Sequence, residues 1–235
     1  MKKLSIVGCL LICTFGHAQE TATKQVLLSA QKNMKPLFNS KNLNGWYTFL
    51  KLKGKNNDPE KIFAVENGML HISGKEFGYM CTNKVYKNFA LAVEFKWGVK
   101  KYPPREADTI KRDNGICFYF AANGKDTVWP KSIECQIQEG DTGDFWLIGG
   151  TTIRIKGVRT QADSFTRVQK KVDAEMPTGQ WNRVEVIANR GNITYIVNGK
   201  IVNQGEAPSV KEGKILIQSE GAEIFYRKIE LAELK

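Results

Sequence analysis

Alternation between apolar and polar side chains dominates the chain after residue 37. From Phe89 to Trp97, large apolar side chains occupy every odd position, and small or charged side chains occupy the even positions. A period of two with one apolar face predicts an antiparallel strand that covers a core with one side. The same alternation recurs at Ile116, Phe118 and Phe120, and at Ile133, Cys135 and Ile137.

Turn residues separate further runs of this kind. Asn67-Gly68 and Asn198-Gly199 each lie between two apolar alternations, and Asn-Gly in that position predicts a β-hairpin. The polar stretch 99–113 is predicted to be a loop, and no convincing helical period follows residue 35. Further strands are predicted at 61–65, 68–73, 78–82, 145–149, 151–156, 181–189, 192–197, 200–204, 213–219 and 223–233. About a dozen short strands predict an all-β fold of two packed antiparallel sheets, a β-sandwich or jelly roll.

The N-terminus has the composition of a secretory signal peptide. Two lysines precede an apolar run from Leu4 to Phe15, and small residues follow it, so cleavage is expected after Ala18. The run is too short to span a bilayer, which takes about 20 residues. The sequence therefore predicts a signal peptide at 1–18, a linker or helical lead-in at 19–36, and one domain at 37–235. An exported protein, periplasmic or secreted, is expected.

The net charge and the hydropathy of the chain indicate which kinds of binding partner to expect. The chain carries a net charge of +11, but its Lys and Arg residues are spread along the whole sequence and no nucleic-acid-binding motif accompanies them. A solvated basic surface is therefore favoured over a nucleic-acid partner. After the N-terminal run no apolar stretch reaches membrane length, so membrane insertion is not expected. The oligomeric state is left open.

Histidine and cysteine usage excludes several kinds of site. After residue 18 the only histidine is His71, which rules out a multi-histidine metal centre and any Ser-His-Asp triad that does not use it. Cys81, Cys117 and Cys135 are an odd number without CxxC spacing. Cys117 and Cys135 lie in opposite phases of their strands, so no disulfide is predicted between them. Any chemistry must use carboxylates, amides, hydroxyls and aromatic rings.

The strand predicted around 132–138 carries the most informative polar face. Ser132, Glu134, Gln136 and Gln138 project from the side opposite Ile133, Cys135 and Ile137, and acidic and aromatic residues follow in the next loop. A row of carboxylates and amides can hydrogen-bond several sugar hydroxyls, while aromatic rings pack on the apolar faces of sugars. This pattern favours a carbohydrate site; a solvated strand face with a charged turn is the alternative.

Seven motifs in order resemble one family over nearly the whole chain from residue 37 to the end. They are Leu37–Trp46 (LFNSKNLNGW), Phe63–Leu70 (FAVENGML), Asp113–Ile116 (DNGI), Ile133–Ile137 (IECQI), Gly179–Asn182 (GQWN), Val197–Lys200 (VNGK) and Glu223–Ile229 (EIFYRKI). On these residues the chain resembles the 3-keto-disaccharide hydrolase domain family, which has a concanavalin A-like lectin/glucanase fold. The stretch Gln138–Trp146 and Tyr226 depart from the usual course of that family.

The resemblance implies a sugar substrate oxidised to a ketone at C3, with acid–base cleavage of the neighbouring glycosidic bond. Glu134 is the first candidate for acid or base, and Glu139, Asp141 and Asp144 compete for the second role. The residues expected to hold the sugar are Asn114, Gln136, Gln138 and Trp146.

Other readings stay open. A non-catalytic lectin-like carbohydrate-binding module is the main alternative, although a binder needs fewer acids than this segment holds. An exported structural or interaction domain without a sugar site is a third reading. No cofactor is expected, but the loop acids Glu139, Asp141 and Asp144 also suit a divalent cation such as calcium. Double displacement as in retaining glucanases is disfavoured, because Gln136 and Gln138 stand where that E-x-D-x-E strand carries acids.

Overall fold

Within the residues that the structure describes, 21 and 25–235 of a computed structural model, eighteen strands form two antiparallel sheets. The predicted signal peptide lies outside those residues. Sheet A runs in the order β12 (Val158–Arg159), β11 (Arg154–Ile155), β16 (Lys200–Glu206), β15 (Asn192–Val197), β14 (Asn182–Asn189), β7 (Phe89–Lys101), β18 (Ala222–Glu233), β5 (Met69–Ile72) and β4 (Phe63–Glu66), and β1 (Lys35–Pro36) also pairs with β18. Sheet B runs in the order β13 (Phe165–Val168), β10 (Phe145–Ile148), β9 (Ser132–Gln138), β8 (Asp113–Phe120), β17 (Lys214–Ser219), β6 (Gly78–Thr82), β2 (Trp46–Leu50) and β3 (Gly54–Lys55).

The core lies between the two sheets and is rich in aromatic rings. Phe95 of sheet A and Phe118 of sheet B are both fully buried. Tyr195 packs edge-to-face on Phe118 at 6.3 Å between ring centroids, and its hydroxyl donates to the Glu134 backbone carbonyl at 3.0 Å. The apolar faces predicted from alternation in β7 and β9 are the inner faces of this sandwich. The predicted two-sheet antiparallel fold is confirmed.

Several elements differ from the sequence prediction. β2 was not predicted because its residues are buried or half-buried on both faces, which removes the period of two. β3 and β13 were also not predicted, and the strand expected at 151–156 is reduced to β11. The expected loop at 99–113 is shortened at its start, because β7 continues to Lys101.

A backbone irregularity changes the phase of β8. Tyr119 has a left-handed φ of 65°, and the pairing of β8 with β17 shifts register there. Phe120 consequently leaves the inner face and packs with Tyr79 and Cys117 on the outer face of sheet B. The prediction that Phe120 shares a face with Ile116 and Phe118 is therefore wrong, because a β-bulge inserts one extra residue into the alternation.

The segment before residue 37 packs against the sandwich. Residues 25–31 form a helix, and Ala30 is buried against Ala90, Ile187 and Ala232 on the outer face of sheet A. β1 then pairs with the C-terminal strand. The lead-in thus covers apolar surface that would otherwise face water. No helix in the part of the chain that the structure describes has both the length and the apolar character needed to cross a membrane.

The three cysteines after residue 18 are buried free thiols. Cys135 belongs to the core between the sheets, whereas Cys117 and Cys81 belong to the apolar cluster on the outer face of sheet B. The predicted absence of a disulfide between Cys117 and Cys135 follows from this placement on opposite faces.

Candidate active site

Four neighbouring strands of sheet B, β10, β9, β8 and β17, form the part of its outer face on which polar side chains come together. Alternation in β9 turns Glu134 and Gln136 away from the core, and Gly115 of β8 pairs with Gln136. β17 lies on the other side of β8 and contributes Gln218, which faces outward because Ile217 faces the core. Trp146 of β10 is the cross-strand neighbour of Glu134. These pairings place the carboxyl group of Glu134, the amides of Gln136 and Gln218 and the indole of Trp146 side by side, and we call these four residues the polar patch.

The lack of a side chain at Gly115 makes this grouping feasible. A Cβ atom placed there would lie 1.9 Å from Glu134 Oε1 and 2.2 Å from Gln218 Oε1. Both side chains therefore lean over the backbone of Gly115 from the strands on either side. Any larger residue at this position would force the two polar groups apart.

Three buried carboxyl groups lie in or beside this patch. Glu134, Asp113 and Glu220 are each only 5 % exposed. Asp113 accepts hydrogen bonds from Gln136 Nε2 at 3.0 Å and Gln138 Nε2 at 2.7 Å, and it forms an ion pair with Arg105. Asp113 is thus held from several sides.

Glu220 follows β17 and accepts a hydrogen bond from the indole N–H of Trp129. Arg105 also reaches this residue, donating through Nε to the Glu220 backbone carbonyl at 2.6 Å. The guanidinium of Arg105 therefore lies between the chain segments that carry Asp113 and Glu220.

Burial and mutual repulsion keep these carboxyl groups unusually basic. Burial, followed by the charge of Glu220, raises the pKa of Asp113 to about 8, although Arg105 and Gln138 oppose the rise. Burial and then the charges of Glu220 and Asp113 raise the pKa of Glu134 well above its usual range. Burial also raises the pKa of Glu220, against the lowering effects of Trp129 and Arg105. Carboxyl groups with perturbed pKa values occur preferentially at functional sites, which makes this cluster the candidate active site.

The two amides of the patch have unused hydrogen-bonding capacity. Gln136 Oε1 is buried without a hydrogen-bond partner, and the buried amide of Gln218 has no partner beyond its contact with the Glu134 carboxyl group, which opposes the rise in the pKa of Glu134. Leaving a buried polar group without a partner costs about 1–3 kcal/mol. Hydroxyl groups of a ligand could supply the missing donors and acceptors if the side chains that now cover these atoms moved aside.

An aromatic rim lies next to the acids. Trp129 packs edge-to-face on Phe77 at 6.1 Å and on Phe165 at 6.0 Å between ring centroids. Trp129 is 44 % exposed and Phe165 is 50 % exposed, so both offer apolar surface to a ligand. Polar groups bordered by flat apolar rings suit the mixed surface of a sugar.

The loop acids proposed from the sequence are paired with cations instead. Glu139 accepts from Arg112 Nη1 at 2.8 Å and from the Thr178 hydroxyl at 2.6 Å. Burial opposes the effect, but the hydrogen bonds and charge of Arg112 together with the Thr178 hydroxyl lower the pKa of Glu139. A permanently ionised, ion-paired carboxylate is a poor proton donor.

Asp141 and Asp144 lie in a similar ion-pair network. Asp141 pairs with Lys111 at 2.7 Å and with Arg167 at 3.0 Å, and these cations lower its pKa although burial acts the other way. Asp144 accepts from Arg167 at 2.6 Å and from the Lys170 backbone N–H at 2.7 Å. Among the described residues no group of three or more His, Cys, Asp or Glu side chains is arranged to hold a metal ion.

Asn114 lies inside the sandwich, apart from the polar patch. Its side-chain amide donates to the Gln218 backbone carbonyl, and its oxygen accepts from the Tyr226 hydroxyl at 2.6 Å. Asn114 shares the phase of Ile116 and Phe118, so it faces the core. The expectation that Asn114 holds the sugar is corrected by this placement, whereas Gln136 and Trp146 belong to the patch with Glu134, and Gln138 borders it.

Sequence reasoning missed five residues of the site. The phase of β8 contains the signal for Asp113, because it lies opposite in alternation to Ile116. The phase of β17 would likewise have indicated Gln218. Glu220, Arg105 and Trp129 come from segments outside regular strands, where no periodicity reports which way a side chain points.

Solved structures show the same architecture. The chain is similar to a protein of Parabacteroides distasonis ATCC 8503 provisionally assigned as a glycosyl hydrolase, with 17 % identity, 87 % of this chain and 95 % of that chain covered, and a TM-score of 0.59. It is also similar to the Bacillus licheniformis β-glucanase, with 12 % identity, 86 % and 97 % covered, and a TM-score of 0.53. The carbohydrate-binding module CBM66 of Bacillus subtilis matches with 9 % identity, 80 % and 95 % covered, and a TM-score of 0.50. These likenesses show a shared fold.

Sequence comparison adds the family. A comparison with curated proteins found no match. The family model described as 3-keto-alpha-glucoside-1,2-lyase-like domain matches residues 33–232, which include all strands of the polar patch. The chain therefore belongs to the 3-keto-alpha-glucoside-1,2-lyase-like domain family.

Proposed function

We propose that this protein is an exported enzyme that cleaves the glycosidic bond of 3-keto-glycosides by acid–base elimination at the outer face of sheet B. The observation that carries the proposal is the trio of buried carboxyl groups with raised pKa beside two amides with unused hydrogen-bonding capacity. Family membership supports the substrate class.

The elimination needs one base and one acid. A ketone at C3 acidifies the C2 proton, which the base removes; the electron pair forms a C1–C2 double bond as the C1–O bond breaks. The acid then protonates the departing glycosidic oxygen. The base takes up one proton and the acid gives up one, so the reaction needs no oxidant or reductant. Each positioned proton transfer contributes typically 10²–10⁴-fold to the rate.

Glu220 suits the base and Glu134 suits the acid. Trp129 and Arg105 both favour the ionised form of Glu220. Glu134 has two like-charged neighbours that favour its protonated form. Neighbours that favour opposite protonation states in two adjacent carboxyl groups allow the pair to divide the acid and base roles.

Asp113 has a positioning role in this proposal. Because it accepts from Gln136 Nε2, the amide of Gln136 is turned so that Oε1 remains free to accept from a sugar hydroxyl. Gln218 adds a second amide beside Glu134. Trp146 lies beside Glu134 and supplies apolar surface.

A Glu134→Gln substitution tests the chemistry. The amide keeps the shape of the side chain but cannot donate an acidic proton, so kcat on a 3-keto-disaccharide should fall by about 10²–10⁴-fold. Chromatography of the released monosaccharide or unsaturated keto sugar over time measures kcat. Glu139→Gln is the matched control, because Glu139 is held by Arg112 away from the patch. Unchanged kcat in the Glu134 variant would contradict the assignment.

A lectin-like binding module is the second candidate, favoured by the same unused hydrogen-bonding capacity of Gln136 and Gln218. The two are separated by incubating the protein with 3-keto-disaccharides and with the parent sugars. Binding of saccharides by calorimetry without any cleavage would establish the binder. Cleavage confined to the 3-keto substrates would establish the enzyme.

Export is part of the proposal and rests on the composition of residues 1–18. N-terminal sequencing of protein recovered from the periplasm or medium should begin after Ala18. Recovery only from the cytoplasm with Met1 intact would contradict it.

A further inference from the structure

The loop that connects β8 to β9 crosses the outer face of sheet B. Residues 121–131 form this loop, which carries Asp126 and Trp129. Its backbone makes a local turn, with Gly124 N donating to Ala121 O at 3.0 Å. The two side chains join the loop to the sheet at separate points.

The first attachment is a carboxylate held by two tyrosines. Tyr47 and Tyr79 donate their hydroxyls to Asp126 Oδ1 at 2.8 and 2.6 Å, and Lys55 pairs with Oδ2 at 3.5 Å. Both tyrosines lie in an apolar cluster with Cys81 and Cys117, where phenylalanine would pack without burying a hydroxyl. Burial first, then Asp126, raises the pKa of Tyr79, so this phenol remains a donor. Hydrogen bonding to Asp126 of the loop therefore explains why this apolar cluster contains the hydroxyl groups of Tyr47 and Tyr79.

The second attachment reaches the proposed base. Trp129 is three residues beyond Asp126, a separation that spans at most about 10 Å of extended chain. Its indole N–H donates to Glu220 Oε1. Fixing Asp126 therefore limits where the indole can lie relative to that carboxyl group.

We propose that Asp126, held by Tyr47 and Tyr79, seats the 121–131 loop so that Trp129 orients the carboxyl group of Glu220 for proton abstraction. Asp126 and Trp129 are positioning residues in this arrangement. The inference rests on the proposed function for its catalytic consequence, but the loop attachment can be tested without substrate.

Trp129→Phe removes the indole N–H and keeps an aromatic ring. Loss of that donor disfavours ionised Glu220, so the acidic limb of the kcat/KM profile should move to higher pH by about one unit. Trp181→Phe is the matched control, since the ring of Trp181 contacts Arg227 and Lys96 of sheet A. An active Trp129 variant whose pH profile equals that of the parent would overturn the proposal.

Releasing the first attachment should have the same effect as losing the second. The double variant Tyr47→Phe/Tyr79→Phe should shift the acidic limb in the same direction, and adding Trp129→Phe should produce no further shift. Additive shifts would show that Asp126 does not act through Trp129, which would overturn the proposed connection. A fall in melting temperature alone, with an unchanged profile, would likewise assign the tyrosines to stability.

Fluorescence separates this proposal from the proposed function. The pH-dependent difference spectrum between the parent and Trp129→Phe should report titration of Glu220, and the transition should vanish in Glu220→Gln. It should also weaken in the double tyrosine variant. If these hold in a protein that cleaves no 3-keto sugar, the loop attachment stands and the proposed function fails. A transition unaffected by Glu220→Gln would overturn the contact itself.

Discussion

At the scale of single residues, Gly115 determines whether Glu134 and Gln218 can approach one another. Gly115→Ala should displace both groups, because the new Cβ would overlap their oxygens. A displacement of about 1 Å in a catalytic group costs on the order of 10²-fold in rate, so kcat/KM should fall by about that factor. Steady-state kinetics on a 3-keto-disaccharide measures the effect.

Gly205→Ala provides the control for this substitution. Its Cβ would meet Ile153 Cδ1 at 2.3 Å on sheet A, a comparable overlap far from the polar patch. Both variants should lose about 1–3 kcal/mol of unfolding free energy from overpacking. Equal activity in the two alanine variants would show that Gly115 matters for packing only.

At the scale of elements, the buried carboxyl groups of β8, β9 and the end of β17 make the free energy of unfolding depend on pH. The folded pKa of Asp113 is about 8, and those of Glu134 and Glu220 are also raised. The folded protein therefore binds more protons than the unfolded chain between the unfolded pKa of about 4 and the folded values. The contribution of Asp113 to the free energy of unfolding should fall as pH rises from about 4 to 8, by up to about 1.4 kcal/mol per pH unit, and those of Glu134 and Glu220 should change in the same direction.

Glu134→Gln removes one carboxyl group of that cluster and should therefore weaken the dependence of the free energy of unfolding on pH. Urea unfolding at pH 5, 6.5 and 8 gives the free energies for both proteins. The Gln variant should gain stability relative to the parent as pH rises, even though it loses activity. Parallel profiles would mean that Glu134 titrates alike in the folded and unfolded chain.

Alternation allowed prediction of the elements that have one core face and one polar face. β7 and β9 were predicted for this reason, and Glu134 and Gln136 with them. β2 escaped because both of its faces are covered, and Phe120 was misplaced because a bulge at Tyr119 has no signature in residue type. The rest of the site could not be predicted, because Trp129 and Arg105 reach it from loops whose course depends on tertiary contacts.

At the scale of the whole molecule, residues 25–36 act as part of the sandwich. A chain that begins at Leu37 would expose the outer face of sheet A around Ala90, Ile187 and Ala232. Relative to a chain beginning at Thr21, it should lose about 2–4 kcal/mol of unfolding free energy from unburied apolar surface. Chemical denaturation measures the difference. Activity of the folded fraction should be unchanged, because the polar patch lies on the other sheet; loss of activity without loss of stability would contradict this.

The strands at the margins of the two sheets bear on how the protein behaves at high concentration. β12 and β3 are two residues long, and β4 and β13 are four. An edge strand with unpaired amides is a template for another chain, and short edges limit that pairing. Each margin offers at most a few backbone groups to a neighbouring molecule. The addition of a strand from another molecule, which is the first step toward cross-β fibrils, is therefore disfavoured.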